Sequence, residues 1–279
     1  MNKTVLVTKA SGDKVAFLSD KLYSSLKRSG ASDETINKVI DQVRSQLYDG
    51  ITTREIFRIA YSLMKKLSKH SASRYKLKQA IRELGPTGFP FELFIGELLK
   101  AREYQVNVGV IVNGHCVSHE VDVIAEKDGS TFMIECKFHN SPGVKCDVKV
   151  PLYIHSRFND LVKFAEDNPA GGKKFYKGWV VTNTHFTDDA IQYGTCAGLL
   201  LLGWDFPKNK GIKELIDQYR LYPITCLTSL SKHEKQLLLE RKLLMCRDIP
   251  ANENILQSAG IHESRIQLIK KDCSSLINH

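Results

Sequence analysis

Asp122, Glu135 and Lys137 are the residues of this 279-residue chain whose types and spacing best support chemistry. The stretches Cys116 to Ala125 and Thr131 to Phe138 are rich in Val, Ile, Phe and Met, with Lys127, Asp128 and Gly129 between them. That pattern predicts a β-hairpin. Strand alternation puts Glu120 and Asp122 on one face of the first strand. On the second it puts Met133, Glu135 and Lys137 on a reacting face and Phe132, Ile134 and Cys136 on a packing face. Twelve residues separate Asp122 from Glu135, a span that two paired strands and a tight turn can close. Mg²⁺, with Mn²⁺ as a substitute, takes oxygen ligands and keeps several waters, so Asp122, Glu135 and the carbonyl of Cys136 would make an open site. Such an ion polarises a phosphate and acidifies water, while Lys137 would orient the nucleophile or offset developing charge. The competing account is a solvated strand face with a cross-strand charge pair. Glu240, Arg241 and Lys242 repeat the Glu-x-Lys spacing inside the helical-looking run LLLERKLL, where residues two apart do not face each other. Strand context and the upstream Asp122 therefore favour the metal site, not the triplet itself.

The segment LGPTGFPFELFIGELLKAREYQV, followed by HEVDVIA and FMIECKFH, resembles the Mrr-like branch of the PD-(D/E)XK nuclease superfamily over roughly Gly85 to Trp204. The resemblance implies an active site of Glu92, Asp122, Glu135 and Lys137 and a mixed central sheet flanked by helices. It also implies Mg²⁺-dependent cleavage of double-stranded DNA, of restriction or defence type. Phe91, Phe94, Ile95, Leu98 and Leu99 recur at helical spacing and leave Glu92 at the margin of an apolar stripe. An acidic residue in a first helical turn also suits the macrodipole, so local physics alone leaves the role of Glu92 open. His119 and Glu120 directly before Asp122, and His139 just after Lys137, depart from the family pattern. A histidine-rich site could take zinc, but no paired His or Cys spacing accompanies them; contact with substrate phosphate or a polar rim suits them better.

PLYIHSRFNDLVKF places Leu152, Phe158, Leu161 and Val162 on one helical face, with Tyr153, Arg157 and Asp160 as polar candidates beside a cleft. Arg157 would clamp a phosphate oxygen or pair with Asp160 at helical spacing. GWVVTNTHFTDDAI predicts a buried strand, a loop and a helix capped by Thr187 with Asp188 and Asp189 in its first turn. By resemblance, Thr182 and Asn183 at the end of that strand line the DNA groove.

The formal charge is +9, from 40 Lys and Arg against 31 Asp and Glu. Residues 1–85 hold 17 basic and 8 acidic residues, which leaves 23 of each for the remainder. The excess thus lies before the nuclease-like part and suits nucleic acid or a polyphosphate. VLVTKASGDKVAFLSDKLYSSLKRSG, ITTREIFRIAYSLMKKL and SASRYKLKQAI resemble the ATP-cone, a regulatory nucleotide-binding domain. Val5 to Thr8 and Val15 to Phe17 predict a short hairpin turned at Ser11, Gly12 and Asp13, and Lys21 opens an amphipathic helix. Lys9, Lys14 and Lys21 could meet phosphates as point charges. The resemblance assigns ATP or dATP to Lys21, with Lys9, Lys14 and Arg74; a solvated basic face is the alternative. No Gly-rich phosphate loop occurs, so the nucleotide would regulate and not be hydrolysed.

LGPTGFP breaks helical continuity, giving expected segments of 1–84 (mostly helical ATP-cone with a hairpin), 85–210 (α/β nuclease core) and 211–279 (a small helical subdomain). Seven cysteines without paired spacing suggest free thiols in a reducing compartment, with Cys116, Cys136 and Cys196 packed in the core. No signal-peptide pattern or membrane-length apolar run is seen, so a cytoplasmic protein is expected. The leading expectation is a nucleotide-regulated DNA endonuclease acting as a homodimer or higher homo-oligomer. A structure-selective nuclease such as a Holliday junction resolvase, and a nucleotide-sensing DNA-binding regulator without cleavage, are the alternatives. Target sequence, methylation preference and the direction of the ATP effect are not encoded in any motif of one unaligned chain.

Overall fold

The computed structural model describes residues 5–278. These form two compact units, one of residues 5–80, 141–143 and 222–278, the other of residues 81–140 and 144–221. Residues 1–4 of the expected first segment, and His279 of the last, lie outside the described range.

Unit one opens with β1 (Leu6–Thr8) paired antiparallel to β2 (Lys14–Ala16), Thr8 opposite Lys14. Gly12 supplies the positive φ of +89° that the turn needs, and the Ser11 hydroxyl donates to Asp13. The expected hairpin is present with its strands offset by one residue. Next come α1 (Ser19–Arg28), α2 (Asp33–Arg44), α3 (Thr53–Leu67) and α4 (Lys69–Tyr75). Leu22 and Leu26 of α1, Val39 and Val43 of α2, and Ala60 and Met64 of α3 meet in one buried cluster. A reciprocal cap between Thr52 and Glu55 fixes the start of α3. The short α5 (Leu77–Arg82) leads out of this unit.

Unit two begins with α6 (Phe89–Lys100), whose Pro90 lies in the first turn where its missing N–H costs nothing. It continues with β3 (Gln105–Asn113), β4 (Ser118–Lys127), β5 (Ser130–Lys137), the short β6 (Lys145–Cys146) and α7 (Lys149–Asp167). Then follow β7 (Lys177–Thr182), the short β8 (His185–Phe186), α8 (Asp188–Cys196), β9 (Leu200–Leu202) and α9 (Ile212–Tyr219). Thr187 caps α8 as expected, accepting from the Ala190 amide. The main sheet has the order β3-β4-β5-β7-β9. Its first three strands are antiparallel; β5, β7 and β9 are parallel, and α7 and α8 provide the crossovers that parallel pairing requires.

Asp128 (φ +51°) and Gly129 (φ +73°) make the two-residue β4–β5 turn, the left-handed pair that matches hairpin twist. β5 is central, and Met133 and Ile134 on its two faces are both fully buried. The expected division of this strand into a packing and a reacting face therefore does not hold along its length. Met133 packs with Ile154 and Leu161 of α7, and β5 leaves the core at its two ends, with Lys137 the exposed residue. Val106 and Val108 of β3 approach Gly96 of α6, whereas Val110 and Val112 pack with the α7 cluster. The change of side falls at Gly109, φ +66°, between the pairs Val108–Val123 and Val110–Val121 and so opposite Asp122.

The chain re-enters unit one at Tyr222 and adds α10 (Lys232–Glu240), α11 (Glu253–Ser258) and α12 (Glu263–Asn278), with α12 packed against α4. The helical tail expected over 211–279 is thus shared between units: Ile212, Leu215 and Ile216 of α9 are buried in unit two, where α9 meets α6. Glu240 ends α10, so the second Glu-x-Lys is helical at its glutamate as its pattern suggested. All seven cysteines are free thiols. Cys116, in the β3–β4 loop, and Cys196, at the end of α8, are exposed instead of core-packed; Cys146, Cys226, Cys246 and Cys273 are the buried ones. Among the described residues no helix is long and apolar enough to cross a membrane.

Glu234 joins two elements of unit one. It completes the cap of α10 with Ser231 and accepts from Arg265 of α12 through both carboxylate oxygens. The Arg265 guanidinium chiefly holds this carboxyl down at about 2. A lowered folded-state value adds stability above the unfolded pKa and loses it as pH falls through the folded one. Unfolding in urea should therefore show Glu234→Gln less stable than the parent by roughly 1 kcal/mol at pH 7, after discounting for the exposed arginine. That difference should shrink as pH falls from the ordinary glutamate range towards 2; a difference constant with pH would contradict the pairing.

Candidate active site

The C-terminal end of β5 and the middle of β4 bring carboxylates together. The β4–β5 pairing ends at Val123 opposite Ile134, and Asp122 and Glu135 are the next residues on the two strands. The Cys136 amide donates to Asp122 Oδ2 at 2.7 Å. Glu135 is buried, and burial followed by the charge of Asp122 pushes its carboxyl up to about 8, against the pull of Arg157. Glu92, in the first turn of α6, is raised to about 7 by burial, then by Asp122 and Glu120. Asp122 is also raised, chiefly by burial and partly offset by the Cys136 amide and Arg157. Carboxylates from one helix and two adjacent strands therefore act on one another: Glu135 feels Asp122 and Glu92, and Glu92 feels Asp122. Lys137 follows at the exposed end of β5, opposite Thr182 of β7.

Arg157 of α7 enters the same place. Its Nη1 donates to Glu135 Oε2 at 2.6 Å, its Nη2 to the Glu120 carbonyl at 2.5 Å, and its Nε to His119 Nδ1 at 3.4 Å. Both members of the Arg157–Glu135 pair are largely buried, and breaking such a pair costs about 3–5 kcal/mol. His119 Nε2 meets Asp160 Oδ2 at 2.7 Å. Asp160, held at about 2 chiefly by His119, also accepts from the amides of Cys116 and Val117. The Arg157–Asp160 pair allowed by helical spacing is not formed, because each reaches across to a strand instead of along the helix. His119, read from the sequence as a rim residue, is instead inserted between them. An open cleft of about 710 Å³ adjoins this network, lined among others by Val117, Glu120, Tyr153, Arg157 and Lys163.

The remaining expected site residues separate. Thr182 and Asn183 are buried. The Thr182 hydroxyl donates to the Lys137 carbonyl, and the Asn183 side chain exchanges two hydrogen bonds with the His139 backbone. Both fasten the exit of β5 to β7. His139 is half-buried, its ring held below the usual range by burial and by Lys137. In unit one, Lys9 and Lys14 flank the β1–β2 turn and Lys21 lies in the first turn of α1. Arg74 approaches Gly30 and lies over the Tyr222 ring. Gly30 follows the C-terminal end of α1, whereas Lys21 lies in its first turn.

The donor chemistry fits a hard divalent cation. Glu135 Oε1 is buried with no hydrogen-bond partner, and it belongs to a set of carboxylates that raise one another. Among the described residues, no three His, Cys, Asp or Glu side chains stand close enough to hold an ion as they are; Arg157 has the place beside Glu135.

Residues 84–203 match the restriction endonuclease family and residues 222–277 match the family described as AF1548-like, C-terminal. An uncharacterized protein of Archaeoglobus fulgidus is 35% identical over 184 residues, 66% of this chain and 99% of the relative. The crystal structure of the protein of unknown function AF1548 superposes with TM-score 0.56 at 34% identity, over 68% of this chain and 97% of that one. Can2 from Sulfobacillus thermosulfidooxidans, solved with cyclic tetra-adenylate, reaches only TM-score 0.34 at 14% identity, over 72% of this chain and 54% of that one.

Glu92 allows a check of this electrostatic picture. A carboxyl raised on folding adds stability that is full below its unfolded pKa and is lost as pH rises through the folded value. Between about pH 4.5 and about 7 the parent should lose stability that Glu92→Gln retains, of order 1 kcal/mol given the partial exposure of Glu92. Melting temperatures across that range that run parallel in the two proteins would exclude coupling of Glu92 to Asp122.

Proposed function

We propose, from the premise that this chain belongs to the AF1548-like family and carries a restriction-endonuclease domain over residues 84–203, that it is a metal-dependent endonuclease hydrolysing phosphodiester bonds in double-stranded DNA. The observation that carries the proposal is the meeting of Glu92, Asp122 and Glu135 at the exposed end of β5, each raised above its ordinary pKa partly by its neighbours.

Asp122, Glu135 and the Cys136 carbonyl would hold Mg²⁺ or Mn²⁺. When bound there, a hard divalent cation supplies Lewis acidity toward a phosphate and acidity to water. The chain's own groups supply the rest. Lys137, two residues along β5 from Glu135, would donate from Nζ to a non-bridging phosphate oxygen and offset charge growing there. The Cys136 amide keeps Asp122 oriented through Oδ2. Glu92 would hold or release a proton beside the nucleophile from the α6 side. Thr182 and Asn183 support this by fixing the backbone from Lys137 to His139.

The proposal extends to unit one as a regulatory part. Residues 1–85 carry the chain's whole charge excess, and Lys9, Lys14 and Lys21 lie on the hairpin and the adjoining helix start. ATP or dATP held there would change activity or assembly without being hydrolysed. Paired nicks require two sites, which a homodimer or higher oligomer would provide, and restriction or defence is the role that fits such an enzyme.

Plasmid, methylated plasmid and four-way DNA incubated with Mg²⁺, with and without ATP, test this. Cleavage should vanish in Asp122→Ala and fall by about 10²–10³-fold in Lys137→Ala, while DNA binding weakens steeply with salt. Undiminished cleavage by Asp122→Ala would remove the site assignment. ATP binding without any cleavage would leave a nucleotide-sensing DNA-binding protein, and cleavage confined to four-way DNA a junction resolvase.

A further inference from the structure

We propose that Arg157 is the resident counter-cation of the acidic site, that Asp160 and His119 are positioning residues holding it there, and that a divalent cation enters by exchanging with it. The nuclease proposal supplies the identity of the incoming ion, and side-chain geometry supplies the remainder.

The guanidinium is fixed at three of its nitrogens. Nη1 reaches Glu135 Oε2, Nη2 the Glu120 carbonyl and Nε the His119 ring at Nδ1. For Nδ1 to accept, the imidazole must be neutral with its proton on Nε2, and Nε2 is the atom that meets Asp160 at 2.7 Å. Asp160 is anchored in turn by the amides of Cys116 and Val117. Gly114 makes this approach possible: a Cβ there would stand 2.1 Å from Asp160 Oδ2 and 2.5 Å from the Val117 carbonyl. A continuous chain of contacts therefore runs from the β3–β4 loop through Asp160, His119 and Arg157 to Glu135. Each contacting pair in this chain is more than twenty positions apart in the sequence.

Three observations distinguish a replaceable counter-cation from a permanent ion pair. Glu135 Oε1 remains buried and without a partner although Oε2 is engaged, so the carboxylate is only half satisfied. One guanidinium cannot balance Glu92, Asp122 and Glu135 together, so the site retains an appetite for more positive charge. Arg157 also lies against the ring of Tyr153, 5.6 Å from its centroid, and Tyr153 is 63% exposed beside the cleft. That ring offers the guanidinium a surface to occupy when Glu135 is taken. An ion on Asp122 and Glu135 would meet Arg157 as a like charge on the same carboxylate, so whatever seats Arg157 must weaken ion binding by the same factor that the ion weakens the seating.

The full-length chain and Mn²⁺ provide the test, read as affinity by calorimetry and as the rise in melting temperature on adding the ion. Arg157→Gln should bind Mn²⁺ more tightly, on the order of tenfold, and gain more in melting temperature than the parent, because the ion replaces the lost charge beside Glu135. Arg157→Lys, which keeps the charge without the fork, should stay near the parent. His119→Ala and Asp160→Asn should fall between, although neither residue touches the ion. If Arg157→Gln does not fold, Asp160→Asn carries the comparison, since it leaves the charge beside Glu135 in place. Parent binding that Asp122→Asn abolishes, together with unchanged or weaker binding by Arg157→Gln and Asp160→Asn, overturns the exchange and leaves the nuclease proposal standing. Absence of Mn²⁺ binding in the parent overturns both.

Discussion

Collecting negative charge at the edge of an apolar core is the constraint that organises unit two. A buried carboxylate is tolerated only when paired, hydrogen-bonded or protonated, and here three of them act on one another. Each solution is visible in a different residue. Asp122 takes the Cys136 amide, Glu135 takes Arg157, and Glu92 is raised to about 7. The surrounding fold enforces the clustering. Asp122 sits opposite the Gly109 kink, where β3 changes side, and β5 carries Glu135 and Lys137 just past the point where α7 stops covering it with Ile154 and Leu161.

What the sequence revealed and what it hid follow from the range of the interactions. The Asp128–Gly129 turn, the alternation on β4 and the twelve-residue interval between Asp122 and Glu135 are local, so the meeting of those two carboxylates could be read from spacing and then from family resemblance. The helix bearing Glu92 was legible for the same reason, as was the Thr187 cap of α8. The partner of Arg157 was not. Helical spacing offered Asp160 three residues away, but Asp160 is taken by His119 and the Cys116 and Val117 amides, and the guanidinium goes to the buried Glu135 instead. Thr182 and Asn183 were expected in the groove by resemblance; their polar atoms bond to the Lys137 and His139 backbone, a role no local pattern announces. Periodicity also could not show that β5 is covered on both faces, since Met133 beside Glu135 reads equally as an exposed or a buried position.

Unit one shows a different limit. The helix that Lys21 opens was legible from its amphipathic pattern, and the hairpin from the Ser11–Gly12–Asp13 turn. The return of the chain at Tyr222 was not, because nothing in the composition of α10 to α12 says which apolar surface they will cover. The result joins the N-terminal helices and the tail through α4 and α12, with the Glu234–Arg265 pair linking α10 to α12 within it. The same return explains Arg74. Its guanidinium lies over Tyr222 from the re-entering segment, a contact that no reading confined to the first 84 residues could supply.

Charge placement then bears on how an anionic substrate could approach. Beyond residue 85 basic and acidic residues are equal in number, and the carboxylates of unit two converge on one spot, so a phosphodiester brought to that spot meets repulsion unless positive charge arrives with it. Lys137 and Arg157 lie at this end of the sheet, and Lys163 lines the cleft. Arg157 is committed to Glu135 and Glu120 and Lys163 to Asp167, which leaves Lys137 at the exposed strand end. An unloaded site would thus disfavour the phosphate it is built to contact. Loading with a divalent cation would reverse that in two ways, by adding its own charge and by releasing a guanidinium toward the cleft. Coupling substrate affinity to cation occupancy in this manner confines strong phosphate binding to the state that has the Lewis acid in place, which is the state able to use it.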